Sequence, residues 1–250
     1  MKKFVPVIFL SMLVISSCSL LGLTSDFTPV NNKDSVKKGD GYMPLNEGRS
    51  WFYKGKAGFL PFIMAMRVAG EVPDASGKKI VLLAVRTNSP AGYTDNTAYL
   101  VDDGENLRIM RTDTLIDINK GLGVEGGEVG IVYAPPKIEV KRAMKEGDEW
   151  TETYKQLSKI DMKAKSTFSF DSLMGGDGMQ EIKSEEQKEI KETKRVHGVE
   201  KIAVPFGYFD TIKVESHPNE KQTMFSWYAE GYGLIKQTIL QDGNEVASYE

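Results

Sequence analysis

Two Asp-Gly pairs constrain this chain more than any other feature. Asp103-Gly104 lies inside 98-AYLVDDGENLRIMR-111 and Asp242-Gly243 inside 234-LIKQTILQDGNEVASYE-250, each between two apolar runs. Such a pair takes the positive backbone torsions that a tight hairpin needs, so the strands on either side must run antiparallel. The same punctuation recurs from about Tyr42 onward, where short runs rich in β-branched and aromatic residues alternate with Gly, Asp, Asn and Pro. It predicts strands over Trp51–Gly55, Phe62–Gly70 and Ile80–Thr87, with a turn at 73-PDASGKK-79. The fold class expected is mainly β: a curled antiparallel sheet or a partly open barrel. The glycines of 121-GLGVEGGEVG-130 read as a loop and crossover, and the charged stretch 181-EIKSEEQKEIKETKRV-196 as a long exposed β ribbon.

One element occurs twice. A Glu-Gly pair precedes tryptophan in 44-PLNEGRSWFY-53 and again in 142-RAMKEGDEWTETY-154, in a chain with only three tryptophans. Gly48 and Gly147 each permit a turn, and Trp51 and Trp150 then open a strand and bury a large apolar surface. The spacing suggests two pseudo-repeated halves, 42–136 and 137–250.

The N-terminus speaks to location. Lys2 and Lys3 precede an apolar run, Phe4 to Ile15, that is shorter than the ~20 residues a membrane-spanning helix requires. It reads as a signal peptide, residues 1–17. The run ends in 15-ISSC-18, which resembles the bacterial lipobox, and the resemblance implies cleavage before Cys18 and acylation of that residue by diacylglycerol and palmitate-like chains. Cys18 is the only cysteine, so neither a disulfide nor a thiolate metal site is available. Two or more acyl chains anchor a protein stably where one does not. Ser19 stands where an Asp would resemble an inner-membrane retention signal, which favours the outer membrane if the organism has one. Residues 18–41 read as a flexible tether and 42–250 as the β body. Loss of Lys2 and Lys3 takes the formal net charge from −3 to −5. No nucleic acid is expected as a partner of such a mildly acidic chain.

Three motifs frame the body: 44-PLNEGRSWFY-53, 204-VPFGYFDTIKVES-216 and 227-WYAEGYGLIKQ-237. Together they resemble a family of uncharacterised secreted and lipid-anchored bacterial β proteins, with Phe206 standing where that family often has Ala. The resemblance implies a curled antiparallel sheet and a cell-envelope lipoprotein, and it brings no reaction and no functional residue. The residues account for the motifs independently. Pro205 ends a strand, Gly207 allows the turn, and Phe209, Ile212 and Val214 resume an apolar pattern. Gly231 and Gly233 sit where a hairpin reverses, between Trp227 and Leu234.

Signals for chemistry are sparse. His197 and His217 are the only histidines, and both read as surface turn residues. No H-E-x-x-H or G-x-S-x-G occurs, and 35-SVKK-38 matches S-x-x-K only within the tether. Asp161, Asp171 and Asp177 lack the ligand spacing of a calcium loop. No metal and no cofactor is expected, and the chain is not expected to be an enzyme. The most apolar segment after the signal, 59-FLPFIMAMRV-68, reads as a strand buried on both faces, or as one wall of a hollow in which Met64 and Met66 contact an apolar ligand. The expected function is a non-catalytic envelope lipoprotein that engages an apolar ligand or a protein partner. The alternatives are an envelope hydrolase with Asp/Glu acid–base chemistry and a purely structural lipoprotein. A hollow lined by Met and Phe marks the first, facing carboxyls across a cleft the second, and a filled core with an exposed apolar patch the third.

Overall fold

The computed structural model describes residues 41–118, 124–165 and 179–250. The signal peptide, Cys18 and the tether up to residue 40, together with Asp171 and Asp177, lie outside the described residues. Twelve strands run in chain order: β1 (Ser50–Ala57), β2 (Leu60–Pro73), β3 (Lys79–Ser89), β4 (Gly92–Asp102), β5 (Asn106–Ile118), β6 (Val124–Lys141), β7 (Glu149–Lys165), β8 (Met179–Val204), β9 (Gly207–Asn219), β10 (Gln222–Ala229), β11 (Gly233–Gln241) and β12 (Asn244–Tyr249). Each pairs antiparallel with its chain neighbour, and β1 meets β12 through Gly55↔Tyr249, Lys56↔Ser248 and Ala57↔Ala247. The sheet is therefore mainly β and antiparallel, as the hairpin signals require, and it closes fully into a barrel with no free edge.

The turns follow their chemistry. Asp242 and Gly243 both take positive φ, 50° and 79°, as a two-residue hairpin between β11 and β12 demands. Between β4 and β5 only Gly104 of the pair takes positive φ, 91°, and Asp103 instead tightens the three-residue loop by accepting the N–H groups of Glu105 and Asn106 on its carboxylate at 3.0 and 2.6 Å. The expected ribbon over 181–196 lies within β8, but its exposed reading is corrected at the barrel end, where Glu192, Lys194 and Val196 are buried. The predicted loop and crossover at 121–130 is corrected from Val124 onward: that part belongs to β6. Its glycines allow close approach within the sheet, since a Cβ on Gly126 would strike the Ile116 carbonyl oxygen and one on Gly127 that of Asp161. His197 is corrected too. It occupies a bulge inside β8, where the register slips between Val196 and Gly198.

The two Glu-Gly-x-x-Trp elements build the same local structure. Gly48 and Gly147 have φ of 82° and 84°. The Gly48 N–H donates to the Val68 carbonyl and the Val68 N–H to the Arg49 carbonyl, both at 2.9 Å; Gly147, Val196 and Asp148 repeat that exchange at 3.0 and 2.8 Å. Val68 and Val196 each precede a register shift ending at a glycine, Gly70 and Gly198. Beyond these bulges the β2–β3 and β8–β9 hairpins extend past their flanking strands.

The strands alternate between a wet outer face and the interior. Outward positions of β7 and β8 include Lys155, Lys159, Asp161, Glu181, Lys183 and Glu185, a charged wall of the kind that faces water. Inward positions make a main apolar cluster at one end of the barrel, with Val68, Leu83, Leu100, Leu107, Val140 and Val196 at its centre. Residues 41–49 cross that end, burying Met43 and Pro44. A second cluster, Ile116, Ile118, Ile160 and Met162, packs near the other end.

Candidate functional site

Between the two apolar clusters the inward face turns polar. Cross-strand pairing places Val85 beside Asn96, Asn96 beside Thr114, and Ile131 beside Ser158 on the face that carries the core. Asn96 Nδ2 donates to Thr114 Oγ1 at 2.7 Å, and Gln156 Nε2 to Ser158 Oγ at 3.1 Å. Asn96, Thr112, Thr114, Gln156 and Ser158 are all half-buried. Eight strands enclose an interior about wide enough for side chains alone, so twelve leave room for such a band to line space.

Charges gather beside this band, on β6, β7 and β8. Glu152, Tyr154 and Gln156 alternate on the inward face of β7, opposite Glu192, Ile190 and Lys188 of β8. Glu192 and Lys194 lie 3.6 Å apart with only 3% and 6% of their side chains exposed. The Tyr154 hydroxyl donates to Glu192 at 3.0 Å, while Lys194 Nζ donates to the Ile138 carbonyl and, at 3.3 Å, to that of Glu139. Glu152 accepts the Ile138 N–H at 2.9 Å. Lys137 and Glu139 form a second pair, 3.6 Å apart and 18% and 31% exposed. Lys137 pairs across the ladder with Ile109, whose side chain packs on the main apolar cluster, so it stands on the inward face of β6.

These environments perturb the acids in opposite directions. Burial tends to raise the Glu139 carboxyl, but Lys137 and Lys194 outweigh it and hold the group below its ordinary range. Glu152 is raised, because its burial exceeds the help from the Ile138 N–H and Lys194. Burial also pushes up the hydroxyls of Tyr133, Tyr154, Tyr228 and Tyr249, and Glu139 contributes at Tyr228 and Tyr249 from across the interior.

Met64 and Met66 face inward and are buried, packed in the main apolar cluster with Tyr53 and Trp51. They form part of the apolar floor at that end of the barrel. Trp51 and Trp150 are half-buried against the same cluster. Trp51 Nε1 donates to the Tyr232 carbonyl, whereas Trp150 Nε1 has no partner among the described residues. Trp227 lies on the outer face instead, its Nε1 donating to Glu200 at 2.9 Å. His197 and His217 both contact Glu215, lowering its carboxyl against the effect of its burial. Among the described residues no three His, Cys, Asp or Glu side chains gather as metal ligands would.

Two grooves lie on the outer surface of the described residues. One of about 770 Å³ runs over β4 to β8, but most of its charges are matched: Arg111 with Asp113, Lys159 with Glu185, Lys183 with Asp161. The other, about 930 Å³, lies beside the 41–49 segment, where Arg142 pairs with Asp102.

No family model matches the chain, and no curated protein matches its sequence. Two solved structures are similar in shape. A "putative lipoprotein" from Parabacteroides distasonis ATCC 8503 aligns over 84% of this chain and 95% of its own, with 15% identity and a TM-score of 0.39. A "putative exported protein with YmcC-like fold" from Bacteroides fragilis NCTC 9343 aligns over the same shares, with 14% identity and a TM-score of 0.43. Likeness at this distance carries no function across.

Proposed function

We propose that the chain is a lipid-anchored envelope lipoprotein whose barrel is a non-catalytic binding module, and that the ligand site is the polar band of the interior. The observation that carries the reading is the Lys137–Glu139 pair, charged and partly accessible inside a closed barrel. Burying charge costs several kcal/mol per ion unless geometry repays it, so an interior that served packing alone would be filled with apolar side chains. An amphipathic ligand fits the layering, with an apolar part toward the floor at Met64 and Met66 and a polar part toward Asn96, Thr114 and the Lys137–Glu139 pair. Engagement of the carboxylates supports the non-catalytic reading: Glu139 and Glu192 each hold a lysine, and Glu152 a backbone N–H. The lipobox-like 15-ISSC-18 supports the anchor at Cys18 and the envelope location.

Native mass spectrometry of the full chain, released from its own envelope fraction, tests both parts. A copurifying small-molecule mass on an acylated chain is the expected result. A bare chain in every preparation contradicts the binding role, and an unmodified Cys18 contradicts the anchor.

A further inference from the structure

Among the described residues, the β8–β9 hairpin gathers three of the most exposed large apolar side chains. β7 stops pairing with β8 at Arg195, and β10 stops pairing with β9 at Ile212. Beyond those points residues 199–204 pair only with 207–212, a two-stranded prong about 20 Å long at ~3.3 Å per residue. One face of the prong packs on the barrel: Phe209 meets the Tyr232 ring edge-on at 5.2 Å, and Glu200 holds Trp227. The other face and the tip are open, with Val199 73%, Phe206 78% and Tyr208 77% exposed and the exposed Lys201–Asp210 pair lying between Val199 and Tyr208. The corresponding β2–β3 hairpin ends instead in the polar turn 73-PDASGKK-79, closed by Asp74 accepting the Ser76 and Lys78 N–H groups at 2.8 Å. The same extension of the barrel is thus polar in one place and aromatic in the other, and clustered apolar exposure of this kind marks a contact surface.

The chain itself indicates what the prong meets. The Gly231 N–H donates to the Gly41 carbonyl at 2.8 Å, one residue from Tyr232, so residues 18–40 join the barrel at the end from which the prong projects. Those 23 residues span at most about 80 Å fully extended. We infer that the prong is a membrane-docking element, its Phe206 and Tyr208 seated in the lipid interface beside the anchor. Tyrosine and phenylalanine suit that layer, an apolar ring beside a polar edge or tip. The tether keeps the prong at high local concentration near the bilayer, so a contact too weak to recruit a free barrel suffices to orient an anchored one. This inference rests on the anchored-lipoprotein reading.

The test uses the full acylated chain, whose body has no thiol of its own. Phe206→Cys, and separately Phe59→Cys at the opposite mouth (89% exposed), are labelled with an environment-sensitive fluorophore. Each is reconstituted into phosphatidylethanolamine/phosphatidylglycerol vesicles carrying nitroxide lipids. Quenching at position 206 several-fold greater than at 59 is expected. Vesicle flotation with equal quenching at both positions overturns docking and leaves the anchor standing, whereas failure to float overturns the anchor itself. Protection of position 206 in native envelope vesicles but not in pure lipid assigns the prong to a protein partner and also overturns the inference.

Discussion

Replacing Lys194 with methionine probes the charged interior directly. The substitution keeps the bulk of the stem and removes a cation that is 5% exposed. Glu192 stays behind, 2% exposed, accepting from the Tyr154 hydroxyl but without its ion-pair partner, Lys137 acting on it only at longer range. Breaking a buried pair on one side costs about 3–5 kcal/mol, because the surviving charge is uncompensated. For a body of this length each kcal/mol shifts Tm by about 2–4 °C, so the melt should fall by about 6–20 °C. The double variant Glu192→Gln/Lys194→Met removes both charges and retains an acceptor for Tyr154. It should lose only about 1–2 kcal/mol, the worth of the hydrogen bonds given up at the Ile138 and Glu139 carbonyls. Urea unfolding of wild type, both single variants and the double closes the cycle, with unchanged m-values showing that the same body unfolds. A Lys194→Met cost below about 1 kcal/mol, or a double variant as unstable as the sum of the singles, refutes the account of a charge-paired interior.

Three further outcomes follow from the geometry. A Cβ on Gly233, at φ 99°, would lie 2.8 Å from Trp51 Nε1, while nothing lies within 4 Å of one on Gly48 at φ 82°. Gly48→Ala should therefore cost about 1–2 kcal/mol from backbone strain alone and Gly233→Ala about 1–3 kcal/mol more from overpacking, read by urea melts; equal costs would contradict the packing of Trp51 over that turn. Because Trp51 donates to the Tyr232 carbonyl and Trp150 Nε1 lacks a described partner, Trp51→Phe should be about 1 kcal/mol more destabilising than Trp150→Phe by the same measurement. Glu139 has a lowered folded-state pKa, so its contribution is present above the ordinary glutamate range and lost as pH falls through the folded value. Glu139→Gln should flatten the acid side of the stability–pH curve below about pH 4.5, and an unchanged acid limb would show that the Lys137 contact does not set that pKa.

The hairpins were legible because a turn such as Asp242-Gly243 carries its geometry in two adjacent residues. Closure was not legible, since three pairs between β1 and β12 join the two ends of the sheet and no local pattern announces them. The glycines of 124–130 misled because a glycine that allows close strand approach and one that makes a loop look alike in sequence; only the neighbouring carbonyls of Ile116 and Asp161 tell them apart. Within 188-KEIKETKRV-196 both faces of the strand carry charges, and Ile190 and Val196 alone do not mark a buried face, so alternation did not single out Glu192 and Lys194 as inward. Trp150, Glu152, Tyr154 and Gln156 did carry a signal, a period-two run of large and acidic side chains following the Trp150 landmark. Its meaning depended on register with β8 and on Lys137 and Glu139 from β6, which sequence spacing does not supply.

The most direct test of the binding account is native mass spectrometry of the Lys137→Met/Glu139→Leu variant beside wild type, both taken from the same envelope fraction. Circular dichroism and a cooperative melt establish that the variant barrel is folded. The account predicts a bound mass on wild type and its loss from the folded variant; the same bound mass on both would place the ligand elsewhere and contradict it.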